Sequence, residues 1–460
     1  MKRSEALTQS RMEKLDQIKR FGIDPYPAST KRTHTCLEAK QIKNKEVYVV
    51  GRLVSIRLHG KAGFANVEDY TGNIQLYIKL DIVKEKNFQL FKLLDIGDFV
   101  EVGGETFITK TKELTIKVSH IRILTKTLKQ IPLSHQEIKN KEEIYRKRYL
   151  DLISNKDSRE LFVLRSKFIS ECRKFLEKNQ FIEVDTPILQ TVAGGALAKP
   201  FVTYYNEYHT DVFLRIAPEL YLKRLIVGGY ERVFEVARCF RNECADWSHN
   251  PEFTQIEFYV AYMDYRDLMK FTEEMIRDVV RAVTGNLIVE KNGKKIDFSR
   301  KFAVKTFAEV SSNKMTDDAF KEGVKKIINP TFVINHPLDI SPLAKKNDQK
   351  TAQRFQLVVS GMEVINAYSE LNDPIDQKER FSEQAEMRKK GDKEASMTDD
   401  DFVEALQYGM PPTAGWGLGV DRFITILADK HSIRETILFP FMKSRGKESI
   451  NQGIKKTKNQ

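Results

Sequence analysis

Residues 232–262, RVFEVARCFRNECADWSHNPEFTQIEFYVAY, read as strand, polar turn, strand. Side chains two apart in a strand share a face. Arg241 and Glu243 are therefore expected to point one way, and Glu257 and Tyr259 to do likewise on the return strand. Ile256, Phe258 and Val260 take the opposite face, and the turn carries His249-Asn250-Pro251. One face thus offers a guanidinium, carboxylates, a phenol and an imidazole. Such a set suits a charged phosphate ester beside a cationic or zwitterionic substrate. An arbitrary hairpin with this charge would simply be solvated on one face.

Around this stretch lie 460 residues, enough for two or three domains with a sizeable core. A hydrophobic content of 41% and a charged content of 30% describe a soluble globular chain. The formal charge of +12, with a pI near 9.2, favours a polyanionic partner. No apolar run is long enough to cross a membrane, and the first residues lack the apolar segment of a secretory signal. A cytoplasmic location without a membrane partner is expected. Cys36, Cys172, Cys239 and Cys244 lack zinc-site spacing and are read as reduced thiols. No Walker A sequence occurs, and GWGLGV at 415–420 resembles a dinucleotide loop only loosely.

Residues 1–45 read as an amphipathic helix with apolar Leu7, Met12, Leu15 and Ile18, its basic residues solvated, followed by a lead-in. Residues 46–125 are β-rich. Val50, Val54 and Ile56 alternate with polar neighbours, as do Ile74, Leu76 and Ile78, then Leu114, Ile116 and Val118. Short strands between turn signals suggest an OB-fold β-barrel, an architecture that binds single-stranded nucleic acid. Residues 126–150 read as a charged linker, 151–443 as a long α/β domain, and 444–460 as a basic tail. Asp157 and Glu160 suggest a capping box, before a helix that places Leu161, Leu164, Phe168, Cys172 and Phe175 on one stripe.

The order FRNE, HNPEFT, EFY resembles motif 2 of the class II aminoacyl-tRNA synthetases, and among them the lysyl-tRNA synthetase family. GGALAKPF, RIAPELYLKRLIVGG, ISPLAK, SELNDP and PPTAGWGLGVDR extend the resemblance over about residues 11–443. It implies a multidomain α/β protein. An N-terminal OB-fold anticodon-binding domain would precede a class II catalytic domain, an antiparallel sheet flanked by helices. The helix–strand–proline unit ending at Pro187 resembles motif 1, which builds the homodimer interface in that family.

The implied reaction joins lysine to ATP as lysyl-adenylate and passes the acyl group to the 3′ end of tRNA(Lys). Its first step needs cations where charge builds on the α-phosphate, and no protein nucleophile. By resemblance, Arg241 clamps the α-phosphate and the lysine carboxylate, and Arg422 holds the other end of ATP. Glu243, His249 and Asn250 contact the nucleotide, and Phe253 stacks on adenine. Asn366, Tyr368 and Glu370 share a strand face in VINAYSE. Glu370 with Tyr259 would hold the ε-ammonium of L-lysine, with Glu257 close by. Glu219 and Gly195 would receive the α-amino group, and Asn366 would assist Arg241. Leaving a desolvated carboxylate unpaired costs about 3–5 kcal/mol, whereas one missing methylene costs about 1–3 kcal/mol. Ornithine is therefore the harder amino acid to exclude.

Glu363 fits a role in holding Mg2+, but the family's second ligand is a glutamate where this chain has Gln356. An amide oxygen can ligate magnesium but brings no charge, which predicts a weakened ion site. In the barrel, GRLVSIRLHGKAGF resembles the family's anticodon-reading surface. Phe64 would stack a base with Arg57 nearby, and outward-facing Gln75 and Glu113 would read base edges. Without the resemblance, Phe64 could equally plug the barrel. Aspartyl and asparaginyl relatives share the architecture, but Glu257 and Glu370 in the pocket argue against both. A catalytically silent RNA-binding paralogue is favoured only by Gln356.

Overall fold

The computed structural model describes residues 3–132, 138, 140–244, 246–391 and 397–443. The basic tail at 444–460 lies outside them. The chain divides into two compact units, Met1–Asn140 with Tyr149–Asn155, and Lys141–Arg148 with Lys156–Gln460.

The first unit is a closed five-stranded barrel, the OB-fold expected from the turn spacing. Its strands are Glu46–His59, Ala62–Asp69, Gly72–Lys79, Phe99–Ile108 and Leu114–Thr125. The third and fifth strands pair in parallel, and the other neighbours are antiparallel. Ile74, Leu76, Ile78, Ile116 and Val118 fill the interior as their alternation required. The first strand differs from expectation, because Val47, Val49 and Leu53 face inward while Val50 and Val54 lie on the other face. Apolar residues occupy both faces of this strand, so the period alone leaves its phase open. A bulge between Leu53 and Ser55 then returns Ile56 to the core side.

A helix, Leu80–Leu93, interrupts the strands and packs Val83, Phe88, Leu90 and Phe91 on the barrel core. The sequence reading did not anticipate it. In the helix Arg3–Arg20, Leu7 and Met12 are exposed, while Ile18 is fully buried. Arg11, expected in solvent, is buried and donates to the carbonyls of Ile96, Thr127 and Lys129. Those carbonyls need donors once covered, and a guanidinium supplies several.

The second unit is built on an eight-stranded sheet. Its order is Ala303–Thr306, Thr331–Ile334, Arg354–Val359, Met362–Ser369, Thr413–Gly419, Glu252–Ala261, Arg232–Phe240 and Ile182–Glu183. All neighbours are antiparallel except the pair at each edge. Helices Lys156–Lys178 and Tyr265–Thr284 cover one face. The stripe from Leu161 to Phe175 packs there as the periodicity required. The first of these helices begins at Lys156, so Asp157 sits inside its first turn rather than capping it.

Period-two alternation separates the two faces of this sheet. Ile256, Leu418, Ile365 and Leu357 form one cross-strand row, and Phe258, Trp416, Ala367 and Phe355 the next. All are buried in the core. The intervening residues form rows on the opposite face. One runs Glu257, Gly417, Asn366, Gln356, and the other Tyr259, Gly415, Tyr368, Arg354. GWGLG is thus a strand rather than a loop. Its glycines fall on one face while Trp416 and Leu418 enter the core.

Among the described residues no helix is long and apolar enough to cross a membrane. Cys36, Cys172 and Cys239 are buried free thiols, and Cys244 is an exposed one.

Candidate active site

Without side chains at Gly415 and Gly417, the open face of the sheet floors a cavity of about 340 Å³. Gly195, Glu219, Arg241, Glu243, His249, Asn250, Phe253, Glu257, Tyr259, Glu363, Asn366, Tyr368 and Arg422 all line it. These are the catalytic-domain residues picked from sequence, except Glu370 and Gln356. A strand rises about 3.4 Å per residue, so Phe253 and Tyr259 stand roughly 20 Å apart along their strand. The cavity follows that strand from a cationic end to an anionic one.

At the cationic end, Arg241 and Glu243 lie beyond the strand Arg232–Phe240, not within it. The shared-face argument therefore fails for this pair. The Asn242 N–H already turns to the Lys199 carbonyl, although the Arg241 N–H still pairs with Pro251 O at 2.9 Å. The Arg241 guanidinium lies 5.1 Å from the centre of the Phe253 ring, and its Nε is buried without a partner among the described residues. Arg422 sits in the first turn of helix Val420–Leu427. It reaches the Glu363 carbonyl and the His249 Nε2, each at 3.3 Å. Its neighbour Asp421 is engaged elsewhere, by Arg165 and the Thr254 N–H at 2.8 Å each. Arg422 is thus not taken up by an ion pair with Asp421. Asn250 is buried, and its Oδ1 has no partner.

At the other end Glu219, Glu257 and Glu370 are all buried. Glu219 opens the helix Glu219–Val227. It accepts from the Tyr368 hydroxyl at 2.7 and 2.8 Å and from Lys223 Nζ at 2.6 Å. Gly195, at φ +87°, passes close above it, and a Cβ there would come within 3.0 Å of Glu219 Cβ. Glu257 accepts from Tyr259 Oη and Gln255 Nε2, each at 2.8 Å. Burial, reinforced by the charge of Glu219, pushes the Glu257 carboxyl up to about 8. Burial also lifts Glu370 well above the ordinary carboxylate range, even though Lys223 pulls against it.

Glu370 lies one residue past the strand Met362–Ser369, behind the cavity wall. Its side chain still follows Asn366 and Tyr368 on their face, because its N–H continues the ladder to the Thr413 carbonyl at 2.8 Å and its carboxylate lies against Gly415. Gly415, which lines the cavity, leaves the space beside the Glu370 carboxylate open by having no side chain. A Cβ there would abut Glu370 Oε1 and meet the Tyr259 ring at 2.5 Å.

Gln356 is nearly enclosed, and its Oε1 has no partner. Among the described residues, no group of three or more His, Cys, Asp or Glu could hold a metal ion.

Gln255, Arg354 and Lys223 are among the groups at the site that escaped the sequence reading. Arg354 lines the cavity and donates from Nε to Asn366 Oδ1 at 2.8 Å. Lys223 follows Glu219 by four residues on the helix, a spacing usually read as a surface ion pair. The alternation of glycines in GWGLG was the available signal for an open strand face.

On the barrel, Phe64 does not plug the interior. It is half-buried on the outer face, opposite Arg57 in register and 5.1 Å from the Tyr77 ring. Gln75 donates to Glu113 at 3.0 Å. Glu113 precedes the strand Leu114–Thr125 rather than lying on it. Tyr77 and Phe107, whose ring centres are 6.2 Å apart, were not anticipated.

Residues 140–443 match the family described as tRNA synthetases class II (D, K and N), and residues 47–124 match the OB-fold nucleic acid binding domain. The chain belongs to the class II tRNA synthetases for aspartate, lysine and asparagine. Within that family it is similar to the lysine–tRNA ligase of Clostridium novyi (strain NT), 45% identical over 95% of this chain and 94% of that protein. The lysine–tRNA ligase of Thermoanaerobacter sp. (strain X514) is 44% identical over 95% and 96%. That of Carboxydothermus hydrogenoformans is 42% identical over 95% and 98%.

Proposed function

We propose that this chain is a lysine–tRNA ligase, which activates L-lysine with ATP and transfers it to the 3′ end of tRNA(Lys). The observation that carries this reading is the buried cluster of Glu219, Glu257 and Glu370 at one end of a cavity whose other end holds Arg241 and Arg422. An anionic side chain would be repelled there, and a neutral amide would leave buried carboxylates unpaired. That argues against aspartate and asparagine.

Arg241 acts on the α-phosphate and the lysine carboxylate, with Asn366 assisting. Arg422, Glu243, His249 and Asn250 hold the nucleotide, and Phe253 stacks on adenine. Gly195 and Glu219 receive the α-amino group. Tyr259, Glu257, Tyr368 and Glu370 surround the side-chain ammonium. The carboxylate attacks the α-phosphorus and pyrophosphate leaves, so the protein's work is positioning and charge stabilisation.

One carboxylate, Glu363, and one unpartnered amide oxygen, on Gln356, suit a hard cation held mainly by phosphate oxygens. Bound Mg2+ would neutralise charge on the ATP phosphates. Restoring a carboxylate with Gln356→Glu is expected to lower the magnesium concentration needed for half-maximal ATP–pyrophosphate exchange. An unchanged requirement rules out the weakened site.

Arg57, Phe64, Gln75 and Glu113 read the anticodon. The division into 1–45, 46–125, 126–150, 151–443 and 444–460 goes with this reading. A homodimer is supported by the exposed apolar side chains of Ile182, Ile188, Leu189 and Val202. A cytoplasmic location belongs to the same proposal. The test is amino-acid-dependent ATP–pyrophosphate exchange. Lysine is expected to drive it, while aspartate and asparagine do not. No exchange with any of the three would support the silent paralogue.

A further inference from the structure

An ammonium group already sits behind the anionic end of the cavity. Lys223 is fully buried, and its Nζ bridges Glu219 Oε1, at 2.6 Å, and Glu370 Oε2. The rings of Tyr259, Tyr368 and Phe402 lie 5.9, 5.7 and 5.8 Å from it. Glu219, Tyr259 and Tyr368 line the cavity, whereas Lys223 does not. Its charge therefore serves the carboxylates rather than meeting a ligand. The second oxygen of Glu370, Oε1, is buried without a hydrogen-bond partner among the described residues and abuts the space left by the missing Cβ of Gly415. Such an acceptor is costly in an empty site and is satisfied by an incoming donor.

We propose that Lys223 is a positioning and specificity-determining residue, a cationic strut that fixes the separation of Glu219 and Glu370 and so gauges the length of a diamine bound between them. This rests on the pocket assignment above, with the α-amino group on Glu219 and the side-chain ammonium on Glu370. The two carboxylates belong to different elements, a helix start and the residue after a strand end. Their like charges would drive them apart, or one would take up a proton. A single ammonium held by both keeps them close and opposes protonation of either. The amino groups of lysine are six covalent bonds apart and those of ornithine five. In extended form ornithine is shorter by roughly 1.3 Å. Removing a methylene from a merely apolar pocket changes selectivity only about 10–200-fold. Two ionic anchors held at a fixed distance add a second measure of length.

The experiment is ATP–pyrophosphate exchange with lysine and with ornithine, using the full chain and its Lys223→Met, Lys223→Arg and Lys223→Ala variants. Lys223→Met removes the charge, Lys223→Arg keeps it and changes the spacing, and Lys223→Ala leaves room for added propylamine. The ratio of kcat/KM for lysine to that for ornithine is expected to fall by about tenfold in the Met and Arg variants. Propylamine is expected to restore the ratio in Lys223→Ala, in a saturable manner. Should Lys223→Met fail to fold, the Arg variant and the propylamine rescue decide. Equal loss with lysine and ornithine, an unchanged ratio, or no rescue overturns the strut while leaving the pocket assignment standing. Failure of the unaltered protein to use lysine overturns the assignment itself, and the strut with it.

Discussion

The cleft on the eight-stranded sheet and the outer face of the barrel are both built from alternating strand residues, but they treat charge oppositely. In the cleft, Glu219, Glu257, Glu370 and Lys223 are buried, with Lys223 bridging Glu219 and Glu370 and Glu257 held by Tyr259 and Gln255. On the barrel, Phe64, Tyr77 and Gln75 are half-buried, and Arg57 and Glu113 are exposed. Burial makes each charge in the cleft expensive to leave unpaired, so the cleft has one well-defined geometry. Exposure leaves the barrel groups free to adapt, and a stacking face accepts any base. Under the proposed function, discrimination of a single amine falls to the first arrangement and reading of a flexible single strand to the second.

The contrast breaks first at Glu370. Glu370→Gln removes the anionic partner of a desolvated ammonium, and about 3–5 kcal/mol of lysine kcat/KM is expected to be lost. Exchange kinetics that change only a few-fold would mean that the substrate ammonium lies elsewhere. Arg241→Ala comes next. Loss of a cation at the developing charge is expected to lower kcat for exchange by about 10²–10³-fold, with the thermal transition little changed because the Arg241 Nε has no partner.

Phe64→Ala sharpens the other side of the comparison. It is expected to weaken tRNA(Lys) binding by about 1–3 kcal/mol and to leave lysine-dependent exchange untouched. An effect on exchange would show that the barrel residue is structural. The smallest effect per unit is that of pH.

Glu257, raised to about 8 by burial, holds a proton in the empty pocket near neutrality. An entering ammonium favours its ionised form. The kcat/KM for lysine is therefore expected to rise with pH up to about 8, by at most about tenfold per unit, and Glu257→Gln should flatten that rise. The same raised carboxyl stabilises the empty protein most below the unfolded carboxylate value. That contribution is lost as pH rises through about 8. A melting temperature of the ligand-free protein that increases over that interval would contradict the assignment of the proton.

Linear order carried the two-domain plan, the OB-fold and the hairpin around His249-Asn250-Pro251, while the resemblance to the class II synthetases supplied thirteen of the residues that line the cleft. The strand faces rest on local facts. Alternation in a strand sends Ile256 and Phe258 inward and Glu257 and Tyr259 to the other face, whatever else the chain does. Folding decided the rest, because it depended on groups far apart in the chain. The inward face of the first barrel strand was ambiguous from its period, and a bulge after Leu53 reverses that phase for Ile56. Glu370 meets Lys223 behind the cavity wall, and Arg354 reached Asn366 only across a strand pair. Lys223 carried no signal in the sequence, and its burial depends on Glu370, 147 positions later, pairing with it. Local spacing can say which way a side chain faces, but burial is a property of everything packed around it.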